Sequence, residues 1–208
     1  MRLIAQNLSG GRAGEMLFSG IDFDLAPGDS LIVTGPNGSG KSTLLRTIAG
    51  LLPQEDGTLR LEAGGEEWPT VASACHYLGH LNAMKTALTV EENLRFWAAF
   101  LGNNRMIMAD ALERVGLSGL GHLPFGYLST GQKRRAALAR LLLASRPIWL
   151  LDEPTAGLDS ASEETFAALA TEHLGTGGIL IAATHQPLGV EGQALRLGSV
   201  AAGRVSDA

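Results

Sequence analysis

The chain has 208 residues, a net charge of −5, 45% hydrophobic and 18% charged residues, and one cysteine. That balance supports a buried core and excludes a disordered chain, a nucleic-acid binder held by a basic face, and a disulfide framework or zinc cluster within one chain. The longest apolar runs are about five residues, such as 179–183, against roughly 20 for a membrane span; the start Met1–Gln6 turns polar too soon for a signal peptide. A soluble, cytosolic protein with Cys75 as a free buried thiol is the expectation.

Along the chain, residues 3–8 and 21–25 alternate apolar and polar, which predicts half-buried strands. Ala26-Pro27-Gly28-Asp29 reads as a turn. Ser30–Thr34 is short, apolar and β-branched; it predicts a buried strand running into the glycine-rich stretch 35–40. From Ser42, Leu44, Leu45 and Ile48 recur at helical spacing, with Gly50 as the stop. Residues 86–145 read as mostly helical. Thr89 and Glu92 form a capping-box pattern opening a helix through Leu101, and a second helix covers about Met106 to Val115. Ser129 and Gln132 repeat the pattern ahead of Ala137, Leu138, Leu141 and Leu142, and Arg146-Pro147 ends that helix. Ile148–Leu151 predicts a buried strand ending at Asp152-Glu153-Pro154, followed by a helix over about 160–173 and a strand over 179–184. Strands alternating with helices at both ends predict an α/β fold, a parallel sheet covered on both faces with the helical middle as an insertion. The 27 glycines follow no period; clusters at 10–11, 35–40, 64–65 and 175–178 mark turns or close backbone approach to a ligand.

Gly35-Pro36-Asn37-Gly38-Ser39-Gly40-Lys41-Ser42 fits G-x-x-x-x-G-K-[ST] between a strand and a helix. Glycines let backbone N–H groups turn around phosphate oxygens, Lys41 reaches the β- and γ-phosphates, and Ser42 offers a hydroxyl to Mg²⁺. Asp152 and Glu153 end an apolar strand, where α/β sheets bind ligands. Beside a phosphate loop, Asp152 is a candidate Mg²⁺ ligand and Glu153 a candidate general base. His185 follows the strand 179–184 and reads equally as a γ-phosphate partner or a surface loop histidine. Leu128-Ser129-Thr130-Gly131-Gln132 reads either as a plain helix cap or as an anion site at a positive helix end.

Together these motifs resemble the ATP-binding cassette (ABC) ATPases over essentially the whole chain. On that resemblance Gly35–Ser42 is Walker A, with Thr43 beside it. Leu128–Gln132 is the signature, carried by Ser129, Gly131 and Gln132, and Ile148–Asp152 is Walker B. Glu153 follows as catalytic glutamate, Ala156–Asp159 as the D-loop and His185 as the switch histidine. The resemblance implies a P-loop NTPase with a RecA-like core, an antiparallel β layer and an inserted helical subdomain. It divides the chain into a core of residues 1–85 and 147–208 and a helical subdomain of 86–146. It also implies ATP and Mg²⁺ as ligands, and a head-to-tail dimer with ATP between Walker A of one copy and the signature of the other. The sequence departs from the family at three places. His80 stands where a glutamine is usual, Thr130 replaces a signature glycine, and near the N-terminus Arg12 stands where an aromatic residue usually stacks on adenine. Arg12 reads equally as a guanidinium stacked on the base or as a solvated loop charge.

Leu17–Gly20, the Gly79-His80 pair and Thr184-His185-Gln186-Pro187-Leu188 are similar to one branch, the haem-exporter ATPases of cytochrome c maturation. That branch implies a peripheral ATPase on the cytoplasmic face of a bacterial inner membrane, bound to integral-membrane maturation subunits. It would be indirectly coupled to a periplasmic haem chaperone, powering haem export or release of the loaded chaperone. No nucleic acid and no direct haem binding are expected; His76 and His122 read as ordinary loop or core histidines. The alternatives are another ABC exporter or importer, or a soluble ATPase of iron–sulfur assembly.

Overall fold

The computed structural model describes residues 1–102 and 105–198. In chain order its elements are β1 (Arg2–Arg12), β2 (Glu15–Leu25), β3 (Ser30–Thr34), α1 (Lys41–Ile48), β4 (Asp56–Glu62), the single turn α2 (Val71–Ala74), β5 (Cys75–Leu78), α3 (Val90–Leu101), α4 (Met108–Arg114), α5 (Thr130–Leu143), β6 (Ile148–Asp152), α6 (Ser160–Gly175), β7 (Ile179–Ala183) and β8 (Gln193–Arg196). They form two sheets: an antiparallel one in the order β2-β1-β4, and a five-stranded parallel one in the order β5-β6-β7-β3-β8.

The β1–β2 hairpin runs further than the alternation at 3–8 and 21–25 predicts. Its turn is Ala13-Gly14, at φ 54° and 82°, the left-handed pair a two-residue hairpin connection requires. Gly10 and Gly11, expected at a turn, instead lie inside β1. A Cβ on Gly11 would stand 2.0 Å from the Glu15 carbonyl oxygen, so glycine there serves close strand approach rather than chain reversal.

The parallel sheet is covered on both sides, and the strand period decides which side chain goes where. Ile148, Leu150, Ile179 and Ile181 pack with Leu44, Leu45 and Ile48 of α1 and the inner face of the antiparallel sheet. Trp149, Leu151, Leu180 and Ala182 pack with Leu138 of α5 and Phe166 of α6. Burial on both faces is why β6 and β7 read as unbroken apolar runs. Helices α3 and α4 pack on α5. Both capping boxes form. Thr89 accepts from the Glu92 N–H at 3.1 Å and donates its own N–H to Glu92 at 2.7 Å, and Ser129 and Gln132 do the same. Residues 199–208, counted with the core in the sequence reading, lie outside the described residues.

This topology brings β3, β5, β6 and β7 to end on one edge. The segments leaving them are Gly35–Gly40, Gly79-His80, Glu153 and Thr184-His185. That edge is where an open parallel sheet leaves its crevice.

Candidate active site

The loop after β3 is shaped by glycines that no other residue replaces. At Gly35, φ is 144° and an added Cβ would stand 2.4 Å from the Leu197 carbonyl oxygen. At Gly40, φ is 92°, and Leu17 lies 3.1 Å from where a Cβ would be. Lys41 opens α1 and is buried. Its Nζ donates to the carbonyl oxygens of Gly35 at 2.6 Å and Pro36 at 3.2 Å, and to His185 Nε2 at 3.1 Å. An ammonium has no lone pair to offer, so Nε2 is the acceptor and the His185 ring carries its proton on Nδ1.

A cleft of about 340 Å³ opens beside the loop. Asn37, Gly38, Gly40, Lys41, Ser42 and Thr43 line one side, and Asp152 and Glu153 the other. Arg12, from the end of the hairpin, and His80, from the loop after β5, line it too, and both are exposed. The cleft therefore unites residues far apart in sequence with three cationic side chains, Arg12, Lys41 and Arg46, facing two carboxylates.

Asp152 is 4% exposed, and its Oδ2 has no hydrogen-bond partner among the described residues. A buried carboxylate oxygen without a partner is costly. A divalent cation would satisfy it, with the Ser42 hydroxyl in the same cleft. No cluster of three or more His, Cys, Asp or Glu able to hold a metal occurs among the described residues. The Asp152 carboxylate and the Ser42 hydroxyl fit Mg²⁺, which takes one or two protein ligands and completes its shell with water and phosphate oxygens.

Glu153 adopts φ 48°, a left-handed backbone uncommon outside glycine. Its N–H donates to the Ala183 carbonyl at 2.8 Å, and its Oε2 accepts from the Thr184 hydroxyl at 3.2 Å.

The remaining candidates stand elsewhere. Ser129, Gly131 and Gln132 occupy the N-terminus of α5 and do not line the cleft of their own chain. Asp159 caps α6, accepting from the Ser162 N–H at 2.9 Å; hydrogen bonding from the Ser162 side chain, and then from that N–H, holds its carboxyl below the usual range. The two segments meet each other: a Cβ on Gly131 would lie 3.2 Å from the Gly157 carbonyl oxygen. His76 is a core residue. It donates from Nε2 to the Ala144 carbonyl at 2.8 Å, and burial pushes it down to about 3. His122 is exposed, and Cys75 is a buried free thiol whose pKa burial raises.

Two arginines escaped the sequence reading. Arg46 lines the cleft and donates to the Tyr77 hydroxyl at 3.2 Å. Arg134 is 4% exposed and reaches five acceptors. Nε donates to the Pro154 carbonyl at 3.0 Å, and Nη2 to the carbonyls of Asp152 and Glu153 at 2.7 Å each. Nη1 donates to the Gly79 carbonyl at 3.0 Å and to Asn82 at 3.1 Å. One side chain of α5 thus ties down both the end of β6 and the loop that carries His80. Burial draws its pKa down to about 10, so it stays charged at neutral pH. The signal was present: Arg134 shares the apolar stripe of Ala137, Leu138 and Leu141, where a charge is out of place unless it has buried partners.

A family model described as ABC transporter matches residues 18–156. The cytochrome c biogenesis ATP-binding export protein CcmA of Mesorhizobium japonicum is 65% identical over 198 residues, covering 95% of this chain and 98% of that one. The protein of the same name from a Chelativorans species is 62% identical over 200 residues, covering 96% and 99%. Among solved structures, an ABC transporter ATP-binding protein from Pyrococcus furiosus superposes with a TM-score of 0.81 at 27% identity, covering 95% of this chain and 98% of that one.

Proposed function

The chain belongs to the ABC transporter family of ATP-binding proteins, and on that footing we propose that it is the ATP-hydrolysing subunit of a membrane complex for cytochrome c maturation. The observation that carries the reading is the single cleft joining Lys41 and Ser42 to Asp152 and Glu153, in a chain 65% identical along almost its whole length to a CcmA protein.

ATP enters with its phosphates against the loop 35–40 and the N-terminus of α1, where free N–H groups and the helix dipole favour an anion. Lys41 exchanges the carbonyls of Gly35 and Pro36 for phosphate oxygens. His185, released from Lys41, becomes free to carry its proton on Nε2 and donate it to the γ-phosphate. Ser42 and Asp152 would hold Mg²⁺, which would supply neutralisation of charge on the β- and γ-phosphates. Glu153 accepts the proton of the attacking water. Arg12 offers its guanidinium plane to the adenine, and His80 senses the phosphate end of the cleft from the loop after β5.

Ser129, Gly131, Gln132 and Asp159 act in the cleft of a second copy. At the α5 end the capping box occupies the N–H groups of Ser129 and Gln132 and leaves those of Thr130 and Gly131 for the phosphate, so ATP gathers donors from two chains and closes them on each other. Hydrolysis removes that bridge and the copies part. The division of labour is between a core of 1–85 and 147–208 and a helical subdomain of 86–146. On the subdomain, Phe96 and Phe100 are 57% and 70% exposed beside Trp97, and this face docks the integral-membrane partner. No described helix is long and apolar enough to cross a membrane; attachment to the cytoplasmic face comes through those partners, and coupling to a periplasmic haem chaperone runs through them.

The test is affinity capture of the tagged full chain from detergent-solubilised membranes. Integral subunits of cytochrome c maturation are the expected companions; an unrelated permease, or no integral protein, overturns the reading.

A further inference from the structure

Glu153 is held from several sides, and among the described residues one hydrogen bond reaches its carboxylate. Thr184, 1% exposed, follows β7 directly. Its Oγ1 accepts the N–H of Gln186 at 3.0 Å, which fixes one side of the hydroxyl. The hydroxyl hydrogen is then free for Glu153 Oε2 at 3.2 Å, closer than the Gln186 carbonyl at 3.5 Å. Gln186 is itself anchored. Its side-chain oxygen accepts from Thr155 at 3.0 Å, and Thr155 is 1% exposed. Glu153 Oε1 carries no hydrogen bond among the described residues. The backbone of Glu153 is pinned in its left-handed conformation by the Ala183 carbonyl and by Arg134.

We propose that Thr184 is the positioning residue for the Glu153 carboxylate: its hydroxyl, aimed by Gln186, fixes Oε2 and leaves Oε1 free to take the proton of the attacking water. The inference rests on Glu153 being the general base. The backbone contacts fix where the glutamate starts, but its side chain still has three rotatable bonds. A base that wanders loses the pre-orientation on which proton transfer depends. The end of β7 thereby serves both walls of the cleft. Thr184 holds the carboxylate, and its neighbour His185 meets Lys41 at 3.1 Å.

The experiment compares ATP turnover and ATP affinity of the full chain with Thr184→Val, which keeps the shape and removes the hydroxyl, and Thr184→Ser, which restores it. We expect Val to lower kcat about tenfold, the size of one lost hydrogen bond, with KM for ATP unchanged and a lower melting temperature, because the Gln186 N–H loses its acceptor. Ser should recover most of that loss. In a Glu153→Gln background, adding Thr184→Val should change nothing further, because the group it positions is gone. A Val variant with wild-type kcat overturns the proposal. So does one whose ATP affinity falls along with kcat, which makes Thr184 a packing residue, and so does full additivity with Glu153→Gln. Failure of the underlying reading looks different: Glu153→Gln alone would then turn over normally.

Discussion

Lys41 spends its ammonium on the carbonyls of its own loop and on His185. These acceptors hold a buried cation ready at the position a phosphate would occupy. Removing it takes away charge-assisted hydrogen bonds, each worth about 1.5–3 kcal/mol. Lys41→Ala is therefore expected to weaken ATP binding by ten-fold or more, read by titration with a fluorescent nucleotide; unchanged affinity would contradict the phosphate-loop assignment. The same scale shows why some residues were legible and others not. Lys41, Ser42, Asp152 and Glu153 stand in compact patterns whose chemistry can be named from spacing alone. Arg46 and Arg134 belong to no such pattern, because their acceptors are backbone carbonyls, the Asn82 side chain and a tyrosine hydroxyl brought near only by folding.

The elements most readable in the sequence were those with strong local codes. The two capping boxes start α3 and α5 where Thr89 and Ser129 announce them, and the apolar runs of β6 and β7 declare their double burial. The strands β4, β5 and β8 were not legible as such. Each lies at a sheet edge; β4 and β8 have no buried residue, and β5 carries His76 in its middle. An edge strand owes its conformation to one neighbour rather than to its own pattern. The buried histidines have an element-scale consequence. His76 of β5 and His173 of α6 are pushed down by burial to about 3 and about 4, from 6.5. His173 is stacked on Trp149 at 4.0 Å and donates to the Ile179 carbonyl at 3.2 Å. Both rings stay neutral in the fold, while the unfolded chain takes up protons below its ordinary value. Stability is therefore full above pH 6.5 and falls as pH drops from 6.5 toward 4, by up to about 1.4 kcal/mol per pH unit for each histidine. Urea midpoints at pH 7 and pH 5 check this; a midpoint that does not fall would contradict the buried neutral rings.

In the whole molecule, the parallel sheet sends four strand ends to one edge, and the helices carry a second set of candidate groups away from it. Ser129, Gly131 and Gln132 of α5 and Asp159 of α6 do not line the cleft of the chain that bears them, and Arg134 links α5 to that cleft through five hydrogen bonds. On the function proposed above, the arrangement is completed when two copies face each other. The alternation of strands and helices revealed the parallel sheet, and the resemblance supplied the antiparallel layer; the separation of the two surfaces needed the fold. Light scattering of Glu153→Gln with ATP and Mg²⁺ tests the pairing most directly. The account predicts a shift from the 21.8 kDa of one chain to twice that mass on adding nucleotide. A particle that keeps the single-chain mass at saturating ATP would contradict it.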